Sequence, residues 1–238
     1  MLFIFDIETI PDIAFVRSVL NEPDLEEDAL LERAAEDLAK NKSGFLPPMY
    51  HRMVSWVGLW IANDGRPVTK ASWNGTNEKE GLEQIFAALN TYKDFGLVHH
   101  NGKGFDIPVL TYRSMKHGLQ MPARMGMHEI RYRYSKANID LVDEFSNYGA
   151  SSWPKLKHLG QLIGIPFKQT GEGNEVYTMF KENKLAEIEH YCYEDVMATY
   201  IIWIYYQFTT GAINQELFDN LKGRALTKLQ EIQASEPA

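Results

Sequence analysis

Only one cysteine, Cys192, occurs in the 238 residues. A single thiol excludes an internal disulfide, and a reducing compartment is the natural home of such a chain. Long apolar runs are missing as well. The N-terminal run Leu2-Phe3-Ile4-Phe5 is broken by Asp6, too early for a signal peptide, and no segment approaches a membrane span. The expectation is a cytoplasmic protein that does not contact membrane. Positive charge is scarce: Lys and Arg number 24 against 32 Asp and Glu, a net charge of −8. That field repels a polyanion, so nucleic acid binding would need a local basic groove or metal ions bound among the carboxylates. Internal repeats and low-complexity segments are absent too. What is present is an ordinary globular composition, 45% hydrophobic and 24% charged, sufficient for one sizeable α/β domain.

Read in order, the chain opens with a buried strand that runs into Asp6-Ile7-Glu8-Thr9. Residues 21–42 then read as a helix with Pro23 in its first turn, part of a helical insertion over about 21–50 that lies across the mouth of the site. Two strands, 53–61 and 68–73, flank the hairpin turn Asn63-Asp64-Gly65. A helix starting after Asn77, a strand at 96–100 and a helix over 105–116 follow. Residues 119–150 carry a basic and aromatic run and a short strand at 139–141. Helices are expected over 155–163, 185–208 and 213–232, with a flexible loop at 171–174 and a frayed tail over 233–238. This order suits one domain over 1–232, a mixed five-stranded sheet with helices on both faces.

The chemistry begins with Asp6 and Glu8. In a strand, residues i and i+2 share a face, so the two carboxylates point the same way from the C-terminal end of a buried strand. Held side by side they repel, and a divalent cation with oxygen ligands, Mg²⁺ or Mn²⁺, relieves that repulsion. Taken alone, the triplet favours the plainer reading of two acids at a strand exit facing water, because such triplets are common by chance. Asp106, in Asn101-Gly102-Lys103-Gly104-Phe105-Asp106, begins a helix, where a carboxylate gains from the helix dipole. Asp195 lies in the long C-terminal helix with Tyr191 four residues earlier, about 40° around the helix and so on the same face. His190, five residues before Asp195, lies about 140° away. The spacing therefore favours Tyr191 over His190 as the partner of Asp195.

The motifs F-D-I-E-T, N-x-x-x-F-D-x-P-x-L and Y-C-x-x-D, in that order, resemble the three exonuclease motifs of the DEDD superfamily. The tyrosine form looks most like the proofreading domain of family B DNA polymerases, and the whole chain resembles the stand-alone predicted 3′–5′ exonucleases related to that domain. The resemblance implies a ribonuclease H-like fold, two divalent cations and a two-metal hydrolysis of phosphodiester bonds at the 3′ end of single-stranded DNA, or of RNA. By the same resemblance, Asp6, Glu8 and Asp195 hold the ion that activates water. Asp6, with Asp106 through water, holds the ion near the leaving oxygen, and Tyr191 orients the attacking water. The other functions considered are a 3′–5′ exoribonuclease and a non-catalytic nucleic acid-binding module on the same fold; the module would need a broken carboxylate set.

Further candidates surround this core. Thr9, Asn101, Phe105, Arg131, Arg133 and Lys168 are candidate contacts to a single strand with a free 3′ end. Arg131 and Arg133, interleaved with Tyr132 and Tyr134, suit charge and stacking along such a strand and suit a solvated loop equally well. Phe105 packs either near the terminal base or in the core beneath Asp106. Asp140 either supports the metal ligands from behind or caps a helix. His99 and His100 read as strand-end residues with hydrogen bonds.

Overall fold

The computed structural model describes residues 1–39, 41, 43–165, 167 and 174–235. Its centre is a five-stranded sheet of β1 (Leu2–Pro11), β2 (His51–Ile61), β3 (Pro67–Asn74), β4 (Gly96–His99) and β5 (Asn138–Asp140), in the order β3-β2-β1-β4-β5. β1 is antiparallel to β2, as β2 is to β3, whereas β4 is parallel to both β1 and β5.

Strand alternation sends the two faces of β1 into different cores. Phe3, Phe5 and Ile7 join Trp56, Trp60, Leu82, Ile85 and Phe86 on one face. Ile4 joins Cys192, Val196, Tyr200 and Ile201 on the other. Both faces are covered, which is why the strand opens with consecutive apolar residues rather than an alternating pattern. The first face packs on α3 (Glu78–Leu89) and α4 (Asp106–His117), the second on α10 (Leu185–Thr209), backed in turn by α11 (Gln215–Ala234). Lying between the sheet and α11, α10 is apolar on nearly all sides over 196–204.

The remaining helices are α1 (Ile13–Leu20), α2 (Glu27–Asp37), α5 (Ala123–Gly126), α6 (His128–Arg131), α7 (Leu141–Ser146), α8 (Leu156–Leu162) and α9 (Asn174–Lys181). They correct the sequence reading in three places. The helix expected over 21–42 is the shorter α2, over 27–37, and a separate helix, α1, precedes it over 13–20, where none was expected. Asp12 starts α1 by accepting the Phe15 N–H, and Asn21 ends it in the left-handed conformation at φ 56°. Pro23 therefore lies in the connection, where the Arg17 guanidinium gathers the carbonyls of Glu22, Pro23 and Leu25. α9 occupies 174–181, where no helix was expected between the loop 171–174 and the long helix from 185, and α7 begins at Leu141, the expected end of the last strand. Lys168, the loop residues 171–173 and the tail residues 236–238 lie outside the described residues. Among the described residues, no helix is long and apolar enough to cross a membrane.

A buried ionic network fixes the first strand to the helix that carries Asp106. Arg113 of α4 donates to both oxygens of Glu78, at 2.7 and 2.5 Å, and to Asp12 at 2.6 Å. Glu78 also accepts the Met53 N–H at 2.7 Å and lies 2.7 Å from His117 Nε2, while Lys116 reaches Asp12 at 2.6 Å. Asp12 directly follows β1 and Glu78 opens α3, so one guanidinium ties three elements together. Arg113→Ala leaves buried carboxylates short of their partner and is expected to cost about 3–5 kcal/mol of unfolding free energy. Urea denaturation would show it; a loss under 1 kcal/mol would mean that Lys116 and His117 carry the network without Arg113.

Candidate active site

Asp6 and Glu8 alternate with Phe5 and Ile7, so they follow Ile4 onto the face covered by α10. Asp6 lies opposite Val57 and Glu8 opposite Ser55 in β2. Just beyond Glu8 the register slips, with Thr9 opposite Met53. The extra residue, Val54, makes a bulge in β2, a device that bends a strand and re-aims its side chains.

Asp106 arrives from the neighbouring side of the sheet. β4 pairs with β1 only as far as Ile4, and the Asp106 carboxylate accepts the Ile7 N–H at 3.2 Å. The β4–α4 connection is held by Asp140. Its carboxylate accepts the N–H groups of Asn101 at 2.8 Å and Lys103 at 3.0 Å, and lies 3.4 Å from His99 Nδ1. It also caps α7 through the Val142 N–H at 3.0 Å. Asp140 is thus a helix cap, and the same carboxylate holds the amides of the β4–α4 connection that leads to Asp106. Burial raises the Asp140 carboxyl, but hydrogen bonds and charge from His99 and the Lys103 and Asn101 amides outweigh burial and hold it far below the usual carboxylate range. His99 completes the brace with Asn138 Oδ1 at 2.7 Å, and His100 meets the Pro154 carbonyl at 3.0 Å.

α10 supplies the third side. Tyr191 and Asp195 are hydrogen-bonded to each other and lie within electrostatic reach of Asp6 and Glu8. His190 turns away, 3.3 Å from Glu194, into a surface cavity with Lys70, Glu189 and Lys228. Between the two faces, the Cys192 thiol donates to the Asp6 carbonyl at 3.4 Å, and ligand atoms of Asp6, Glu8 and Cys192 all lie within 4.8 Å of one another. The sequence reading had given Cys192 no role at the site; its place in Y-C-x-x-D, one residue after Tyr191, was the available signal.

The electrostatics of this cluster are one-sided. Burial, then the charges of Asp106 and Asp195, push the Asp6 carboxyl well up; burial, then Asp6, Asp195 and Asp106, do the same to Glu8. Burial raises Asp106 to about 6 and Asp195 to about 7. Among the described residues, no Lys or Arg forms an ion pair with any of the four. A set of oxygen donors that repel one another fits hard divalent cations such as Mg²⁺ or Mn²⁺.

That imbalance makes the metal-free protein sensitive to pH. Unfolded Asp and Glu release their protons near pH 4, whereas the folded chain keeps protons here up to about pH 7. The folded state binds more protons across that window, so these groups lose stabilising weight as pH rises. Buried His51, pushed down to about 4, and His100, also lowered, act oppositely, but only below pH 6.5. In EDTA, Tm is therefore expected to fall between pH 6.5 and 8. Asp6→Asn should flatten the decline, and Mn²⁺ should lift Tm at pH 8 in the wild type more than in the variant. Identical slopes for the two proteins would remove the mutual repulsion from the account.

The candidate nucleic acid contacts divide into two groups. Thr9 and Phe105 adjoin the carboxylates. His51 is held neutral by burial, and since the Leu46 carbonyl can only accept, Nε2 carries the proton at 3.1 Å. Nδ1 then accepts from the Thr9 hydroxyl at 3.0 Å. Phe105 is half-buried, its ring 5.1 Å from His51 and 5.4 Å from Phe45, so it joins core and surface rather than choosing between them. Asn101, Arg131 and Arg133 instead line a cleft of about 570 Å³ with Lys103, Tyr112 and Trp153, and none of the four acids borders it. Arg133 and Lys103 both reach Asp143, at 3.1 and 3.3 Å.

Comparison with curated proteins finds no match. A family model described as a predicted 3′–5′ exonuclease related to the exonuclease domain of PolB matches residues 43–237. The matched stretch contains Asp106, Tyr191 and Asp195 and begins after Asp6 and Glu8, which the pairing of β1 with β2 and β4 carries into the same sheet. The mixed five-stranded sheet with its helices is consistent with a ribonuclease H-like exonuclease fold. The chain belongs to the family of predicted 3′–5′ exonucleases related to the exonuclease domain of PolB.

Proposed function

We propose that the protein removes nucleotides from the 3′ end of single-stranded nucleic acid, DNA or RNA, with two divalent cations held by Asp6, Glu8, Asp106 and Asp195. The observation that carries this is the meeting of four acids from β1, α4 and α10 with no basic partner among the described residues. When bound, the cations supply Lewis-acid activation of water and neutralise charge on the entering and leaving oxygens.

The chain's own groups do the positioning. Asp106 is tied to the Ile7 amide, so the helix and the strand hold their carboxylates in one register. Tyr191 does not serve as a base: burial, then Asp195, Glu8 and Asp6, push its hydroxyl far above the ordinary phenol range. It stays protonated and orients a water by hydrogen bonding, with Asp195 fixing the direction of the phenol. Asp140 keeps the β4–α4 loop in place through its backbone amides and touches no reacting group.

Incubation of 5′-labelled DNA and RNA single strands with Mg²⁺ or Mn²⁺ tests the proposal. A ladder shortening from the 3′ end is expected, and closed circular single strands should survive. Cutting of circles, or blunt duplex degraded as fast as single strand, would set the proposal aside.

A further inference from the structure

Beyond Thr9, the strand carrying Asp6 and Glu8 runs directly beside a cavity of about 410 Å³. Its walls come from Thr9, Pro11 and His51 at the ends of β1 and β2, from α2, from the segment 43–46, and from α9. That volume is at the small end for ligand sites, the size of one small ligand rather than of a duplex. The cavity opens onto a continuous aromatic layer. Phe105, next to Asp106, contacts Phe45, and both contact His51. Phe45 lines the cavity and is 44% exposed.

The far wall is fastened. Tyr177 of α9 donates to Glu27 of α2 at 2.5 Å, and Lys181 approaches the same carboxylate at 4.0 Å. α9 is in turn seated on the sheet by Val176, which packs with Ile10, Val54 and Ile188, and by Arg52 stacked 4.9 Å over Phe180. α2 is anchored through Leu30 and Ala34 to Val16 and Leu46. The Tyr177–Glu27 contact thus joins the two helices that contribute to one side of the cavity.

We propose that this latched wall is the device that confines the protein to chain ends: the terminal nucleoside enters the cavity, its base rests on Phe45, and the Tyr177–Glu27 contact blocks any continuation past it. The inference rests on the exonuclease reading above and adds to it the residues that recognise the end. Phe45 is a binding residue; Tyr177 and Glu27 are positioning residues.

The test uses the full chain with Mg²⁺ and three 5′-labelled oligothymidylates: one with an ordinary 3′ end, one with a 3′-terminal abasic residue, and one with a bulky fluorophore on the 3′ hydroxyl. For the wild type, loss of the terminal base should raise KM about 5- to 150-fold, the range that one stacked base supports. Phe45→Ala should raise KM for the ordinary end and abolish that penalty. The fluorophore-blocked end should resist the wild type and be shortened by Tyr177→Phe and by Glu27→Gln, with melting curves checking that both variants are folded. If Phe45→Ala keeps the full abasic penalty, or if both latch variants leave the blocked end intact, the wall and its stacking surface are overturned while the exonuclease reading stands. If the wild type fails to shorten even the ordinary end, the exonuclease reading falls and takes this inference with it.

Discussion

Asp6→Ala and Asp195→Ala are each expected to remove at least roughly 10³-fold of the cleavage rate while leaving a folded protein. A catalytic cation contributes several kcal/mol of transition-state charge stabilisation, and each 1.36 kcal/mol is worth tenfold in rate. Both side chains lie in a cluster whose members raise one another's pKa, so removing either relieves repulsion in the metal-free state. Loss of activity should therefore come with an unchanged or higher Tm in EDTA, a pairing that simple misfolding does not produce. EDTA should silence the wild type, and Mg²⁺ or Mn²⁺ should restore it. Full cleavage in EDTA, or an active Asp6→Ala protein, would remove these carboxylates from the chemistry.

The second large effect separates two adjacent residues. Tyr191 shares a hydrogen bond with Asp195 and faces the acids of β1, whereas His190 lies 3.3 Å from Glu194 on another side of α10. Tyr191→Phe deletes only the hydroxyl, and kcat is expected to drop on the order of 10²–10⁴-fold, as for other positioned catalytic groups. His190→Ala should change kcat little and act only through local packing around Glu194, one oxygen of which has no hydrogen-bond partner among the described residues. The pH–rate profile should also keep its shape in His190→Ala, because an imidazole facing Glu194 has no path to the attacking water. A dead His190→Ala beside an active Tyr191→Phe would place the protein with the histidine form of the superfamily.

Much of the fold was legible because it follows from local patterning. The run from Leu2 to Phe5, the Asn63-Asp64-Gly65 turn and the glycine after His117 each encode their structure within a few residues, and the sheet and its main helices follow. The motif residues, too, carry chemical meaning before any coordinates, since two acids on alternate strand positions must share a face. The family identity rested on three such motifs in order, and the matched stretch covers two of them.

Other features were invisible because they depend on partners distant in sequence. Arg113 meets Asp12 and Glu78 across separations of 101 and 35 residues, and nothing in its own neighbourhood marks it as a buried hub. α1 was missed because the Asp12 cap that starts it and the left-handed Asn21 that ends it act through backbone geometry that the apolar pattern does not record. The sequence by itself determined that Asp6 and Glu8 share a strand face and that Tyr191 and Asp195 share a helix face, because strand and helical spacing fix facing. Only the tertiary structure decided that Asp140 braces the Asp106 loop, that Cys192 lies against Asp6, and that α2 and α9 close on each other through Glu27 and Tyr177. Those contacts join segments up to 186 residues apart, and only packing of the whole sheet against its helices brings such segments within hydrogen-bonding distance.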